Sequence, residues 1–233
     1  MKISTNQKLI DRNVKISKYT LYGSLALLAF GFYWSIKNTG PENSLIGWVI
    51  LIPSYFLVQV SIFMSNKWGK NPRPDEIVLQ SLKGLNDKYS LYNYNTAVPH
   101  LLVGPQGVWV INPYHQRGDI SFDSQKSTYQ QSGGPRFIGK SFGQEGLPNI
   151  EKEVKNLQKD IHKHFEENSI TMESKIEIVN MFYSEEVKLI GNNFPDKCIK
   201  ADKLKDLVRK EAKKHGLAEE DLSQIRGKLP QFD

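Results

Sequence analysis

Two long uncharged runs stand near the start of the chain. Residues 19–36 read Y-T-L-Y-G-S-L-A-L-L-A-F-G-F-Y-W-S-I, with no charge until Lys37, and residues 45–64 form a second such run. Each is roughly 18–20 residues, enough for a helix to cross a hydrocarbon core. Tyr19, Tyr22, Tyr33, Trp34, Trp48 and Trp68 fall near the expected interfaces, where amphipathic rings concentrate. Pro53 and Gln59 are tolerable in the second run, because a partner helix can satisfy freed polar groups. A signal peptide would not be followed at once by another span. The pattern predicts a transmembrane α-helical hairpin with helices at about 19–36 and 45–64.

After this the hydropathy changes to short periods. Asn71-Pro72-Arg73-Pro74 ends a linker over 65–74. Ile77, Val78, Leu82 and Leu85 then recur at helical spacing, predicting a helix over 75–86. A strand is expected at 89–95. Leu101–Val103 and residues 108–111 are apolar on both faces and flank Gly104-Pro105-Gln106-Gly107, a hairpin suited to a sheet covered on each side. A further strand is expected near 118–122, and a polar, glycine-rich long loop or mobile hairpin over 123–149. Asn149 caps a helix to about 167, with Val154, Leu157, Ile161 and Phe165 on one face. Strands follow at 176–183, 187–190 and 198–201. Asp202 caps a helix over 203–215, closed by Gly216, and a short helix ends the chain at 219–226. The order implies an α/β or α+β soluble domain with a central mixed sheet. The expected division is 1–18 basic N-terminus, 19–64 membrane hairpin, 65–74 linker, 75–215 soluble domain and 216–233 C-terminal helix and tail.

Charge sharpens the membrane reading. The formal net charge is +6, but residues from 75 onward are close to neutral. The excess sits at Lys2, Lys8, Arg12, Lys15 and Lys18, and at Lys67, Lys70 and Arg73, beside the apolar runs. The connecting loop carries only Lys37. The bias places both termini in the cytoplasm and the short loop outside, with basic residues against anionic headgroups. The single cysteine, Cys198, permits no internal disulfide and suits a reducing compartment.

Candidate chemistry is sparse. Gly134, Gly139, Lys140 and Ser141 satisfy G-x-x-x-x-G-K-[ST]. A phosphate loop must follow a buried strand and open a helix, and here polar residues precede it and Pro148 follows. It is read as a look-alike, not a nucleotide site. The helix with Lys203, Lys205, Arg209, Lys210, Lys213 and Lys214 also carries Asp202, Asp206 and Glu211, as a solvated face does.

The run H-L-L-V-G-P-Q-G-V-W-V-I from His100 to Ile111 resembles the nuclease-related domain (NERD) family. His100, Gly104, Pro105, Gly107 and the apolar strand residues match the family's pattern, and Gly118-Asp119-Ile120 matches its next turn and strand. The resemblance covers about residues 75–210. It implies a restriction-endonuclease-like, PD-(D/E)xK-related fold, in which an Asp and a Glu on neighbouring strands hold Mg²⁺ and a Lys two residues beyond the Glu assists. At those positions this chain has Pro99, Asn112 and Tyr114, none of which supplies the chemistry. The expected site is therefore degenerate, at Pro99, His100, Asn112 and Tyr114, with no metal and no cofactor. The resemblance implies a membrane-anchored binding or scaffold module, whose partners are the lipid bilayer and a nucleic acid or a protein. The alternative is a divergent Mg²⁺-dependent nuclease using Glu76 with Asp119 or Asp123.

Overall fold

The computed structural model describes residues 1–38, 40–133, 146–170, 176–214 and 216–231. The chain divides into two compact units, one of residues 7–73 and one joining residues 1–6 to residues 74–233.

The first unit is a helical hairpin of α1 (Gln7–Lys37) and α2 (Pro41–Met64), the latter running into a π-helical turn at Ser65–Gly69. Its packing follows a spacing of seven. Ile10, Ser17, Ser24 and Gly31 are the buried residues of α1, and Gly47, Ser54, Ser61 and Trp68 are buried on the partner. Such spacing keeps one narrow seam facing a neighbouring helix. Small residues let the backbones approach closely: a Cβ added at Gly31 would meet Leu51 Cδ2 at 2.9 Å. Ser61 Oγ bridges to the Thr20 carbonyl at 3.0 Å and lies 3.1 Å from Ser24 Oγ. Large apolar side chains face outward instead, among them Tyr19, Phe32, Ile36, Val49, Phe56 and Phe63.

Among the described residues, one helix, running on from Gly47, is apolar and long enough to cross a membrane by length and composition, with a mean hydropathy of 1.8. The expected first span, 19–36, lies within α1 but is not apolar enough on that measure. Its serines, tyrosines and glycines dilute the leucines.

The second unit is α+β, with two mixed sheets. The larger has the order β1-β2-β3-β4-β7-β9, from β1 (Lys2–Thr5), β2 (Ser90–Asn93), β3 (His100–Gly104), β4 (Gly107–Tyr114), β7 (Glu177–Phe182) and β9 (Lys197–Lys200). β3 is antiparallel to both neighbours, and every other pair is parallel. The smaller sheet has β5 (Gly118–Asp123) between β6 (Thr128–Ser132) and β8 (Val187–Ile190). One expectation is corrected here and another is made definite. Residues 2–5 form a strand of this second unit, where only a basic N-terminus is expected. Of the loop or hairpin expected over 123–149, residues 128–132 form a strand that pairs back antiparallel on β5.

The β3–β4 hairpin is the centre of this core, as its apolar pattern predicts. Alternation sends Leu91, Leu102, Trp109, Ile111, Val179 and Met181 to one face, against Val78 of α3 (Pro74–Ser81), Leu82 just beyond its end, and Leu204 and Val208 of α5 (Leu204–Lys214). Val103, Val108, Val110, Ile178 and Phe182 face the other way, against α4 (Ile150–Glu167) and α6 (Glu219–Gly227). Burying each such side chain contributes about 1.5–3 kcal/mol. Gly107 turns the hairpin at a φ of +106°, and Gly104 lies against the Tyr89 ring. At the β9 edge, Lys197 Nζ contacts Glu177 at 2.5 Å and Glu211 at 3.0 Å and lies 4.7 Å above the Trp109 ring. One cation thus joins β7, β9, α5 and the hairpin.

Candidate binding site at the carboxyl edge of the sheet

Parallel β4, β7 and β9 place Asn112, Asn180 and Cys198 in register across three strands. Two residues further on, Tyr114 and Phe182 stack on the same face, with ring centroids 5.2 Å apart. The carboxyl edge of parallel strands is where α/β sheets place ligands. α4 covers this face. Asn149 caps it by accepting from the Lys152 amide at 2.8 Å, which sets Glu151 and Glu153 in its first turn.

Glu153 thereby reaches the strand ends. Asn112 Nδ2 donates to the Tyr114 hydroxyl at 2.6 Å, and that hydroxyl donates to Glu153 Oε2 at 2.7 Å. Asn112 Nδ2 also approaches the same oxygen at 3.4 Å. Burial pushes the Tyr114 phenol upward, and the hydrogen bond to Glu153 and its charge add to this. The phenol is a neutral donor across the physiological range.

A second knot adjoins it. The Tyr129 hydroxyl lies 3.1 Å from Asp196 Oδ2 and 3.5 Å from Cys198 Sγ. Burial raises Cys198 to about 11, with hydrogen bonds from Tyr129 and Asn180 opposing the rise and Asp196 adding to it. Cys198 is therefore a thiol at neutral pH and a poor nucleophile. Asn180 is fully buried. Its Nδ2 is 3.9 Å from Sγ, and its Oδ1 has no partner among the described residues.

The other sequence-level candidates are dispersed. His100 is buried on the opposite face, with Nδ1 2.9 Å from Asn93 Oδ1 and its ring edge-on to Tyr94. The Pro99 carbonyl accepts from the Tyr94 amide at 2.8 Å in the turn before β3. Glu76 stands in the first turn of α3 and lines a groove with Ile3 and Leu79. Asp119 lies on β5 opposite Ser132 and Lys188. Asp123 accepts from the Gln125 and Lys126 amides and from Gln130, as a turn residue does. Gly134, Gly139, Lys140 and Ser141 lie outside the described residues.

Among the described residues, no three His, Cys, Asp or Glu side chains gather as a metal site. The strand-end donors do not fit Mg²⁺: an amide, a neutral phenol and one carboxylate whose Oε2 already takes two donors. The residues that sequence reasoning does not find are Glu153, Tyr129, Asn180 and Asp196. Glu153 had a signal, since Asn149 fixes the first turn of its helix. The strand it faces does not follow from that cap.

Comparison with known proteins adds no neighbour: no family model, no curated protein and no solved structure matches this chain.

Proposed function

We propose that this chain is a membrane-anchored binding module: a NERD-like, restriction-endonuclease-like domain without nuclease chemistry, carried on a two-helix membrane hairpin. The observation that carries the reading is the Asn112–Tyr114–Glu153 chain of hydrogen bonds. It occupies the strand positions where the family's Glu and Lys would stand, and it commits the nearby carboxylate to a phenol. What supports the nuclease-like fold is the β3–β4 hairpin followed, through α4, by parallel β7. The near-neutral charge of residues from 75 onward favours a protein partner over a polyanion.

Two observations support the hairpin as a membrane anchor. Its seam is small and polar while its outer surface is large and apolar, the reverse of a soluble hairpin. Strand β1 adds a parity argument. Residues 1–6 and 74–233 belong to one unit, so the path between them crosses a bilayer an even number of times. If α2 crosses, α1 crosses with it, although α1 is the less apolar. The basic flanks then set both termini in the cytoplasm.

The test uses the full chain in lipid nanodiscs, with single- and double-stranded DNA or RNA and millimolar Mg²⁺ or Mn²⁺. No cleavage is expected. Cleavage that disappears in Glu153→Gln, Glu76→Ala or Asp119→Ala would overturn the reading.

A further inference from the structure

The larger sheet is open at β1. Among the described residues β1 pairs only with β2. The Lys2 and Asn6 amides donate to the Tyr89 and Asn93 carbonyls. By strand alternation, the Ile3 and Thr5 backbone groups point away from the sheet. Ile3 is itself exposed. Beside this edge runs a groove of about 440 Å³, lined by Ile3, Leu79, Gln80 and Gly84, with Glu76 and Lys83 on the same wall.

We propose that this face is a homodimer interface, two copies meeting about a two-fold axis with β1 antiparallel to β1 and the α3 grooves apposed. An open edge flanked by an apolar groove is a template for another strand. The charge pattern selects which strand. Along the groove the wall reads Glu76, Leu79, Gln80, Lys83, which reverses onto itself with the signs exchanged. A two-fold axis between positions 79 and 80 sets Glu76 of each copy against Lys83 of the other. A foreign strand would have to supply both charges in reversed order, whereas a second copy supplies them by symmetry. A carboxylate accepts several donors, so Glu76 can keep a contact in its own chain. Ile3 and Thr5 of one edge exchange hydrogen bonds with Thr5 and Ile3 of the other, and the two Ile3 side chains cover the groove floor. The inference rests on neither the membrane nor the nuclease-like reading.

The test is the mass of the full chain in detergent micelles, followed by light scattering over a dilution series. A dimer is expected. Lys83→Glu and Glu76→Lys should each raise its dissociation constant by about tenfold or more, and the double exchange should restore it. In a Cys198→Ser background, Leu79→Cys should form an intermolecular disulfide under mild oxidation, and Lys214→Cys should not. A monomer at every concentration overturns the proposal. So does a dimer that ignores both charge reversals and leaves Leu79→Cys unlinked, because its interface then lies elsewhere. The disulfide arm decides the matter if a charge variant fails to fold.

Discussion

The Tyr114 hydroxyl donates to Glu153 Oε2 over 2.7 Å while accepting from Asn112 over 2.6 Å, so one phenol ties the end of β4 to the first turn of α4. Tyr114→Phe removes the bridging oxygen and leaves the carboxylate with the longer Asn112 contact. A loss of about 1–3 kcal/mol is expected, read as a melting temperature several degrees lower for the full chain in detergent. Glu153→Gln keeps an acceptor and should cost less. Equal melting temperatures for Tyr114→Phe and the parent would show that the bridge contributes nothing.

The Lys197 contacts predict an acid sensitivity. The hydrogen bond from Lys197 holds the Glu211 carboxyl below the usual carboxylate range, against a smaller opposing effect of burial. A carboxyl depressed by folding contributes stability that is full above its unfolded value and is lost as pH falls through the folded one. The melting temperature of the parent should therefore exceed that of Glu211→Gln near neutrality and approach it in acid. Lys197 is raised: burial alone would lower it, and the bonds to Glu177 and Glu211 outweigh that. Its charge persists through the same titration. A constant gap from neutral pH down to pH 2 would contradict this account.

The hairpin turn gives a backbone prediction. Gly107→Ala forces a side chain onto a φ of +106°, at a cost of about 1–2 kcal/mol. Gly104→Ala would bring a Cβ to 2.5 Å from Tyr89 Cδ1 and 2.6 Å from Gln106 Oε1, so the Tyr89 ring must move. Gly227→Ala meets open space and should melt with the parent. Chemical denaturation of the three variants ranks them, and a Gly107→Ala as stable as Gly227→Ala would refute the strain argument.

Cysteine labelling reports the number of crossings between residues 2 and 228. In a Cys198→Ser background, Gly40→Cys should react with an impermeant maleimide on intact cells. Lys2→Cys and Lys228→Cys should react only after lysis. Opposite behaviour of Lys2→Cys and Lys228→Cys would break the even crossing count.

Packing of the hairpin seam is tested at Gly47. A Cβ there collides with the Ser35 side chain, so Gly47→Leu should separate the helices. A disulfide between cysteines at Gly31 and Leu51 should form readily in the parent background and poorly beside Gly47→Leu.

The central hairpin was legible because residues 101–103 and 108–111 carry their signal locally: apolar on both faces, with a glycine turn between. The helix from Ile150 was legible for the same reason, through its cap and its apolar stripe. Strand β1 was not. Lys2–Thr5 holds a single large apolar residue, and what makes it a strand is β2, far along the chain. Strand β6 likewise presents little beyond Tyr129, and its partner β5 decides its form. Of the candidate site, Asn112 and Tyr114 could be picked out by resemblance. Glu153 could not, because its meeting with them depends on how α4 crosses the sheet. Seven-residue spacing at Ser17, Ser24 and Gly31 was present in the sequence, but hydropathy alone gives those positions no role.

Strand β1 has a consequence for how the chain folds. It is synthesised well before Ser90–Asn93, the strand it pairs with. Between them lies the whole helical hairpin. Joining β1 to β2 closes a large ring of chain, and ring closure costs entropy that grows with the free length. When α1 packs along α2, Ser17 comes beside Gly69, and most of that ring is already shut. The hairpin then acts on the sheet as a cross-link would, by restricting the chain before the strands meet. Loosening its seam at Gly47 or Ser61 should therefore fray β1 from β2, which faster amide exchange at Ser4 and Asn6 would report.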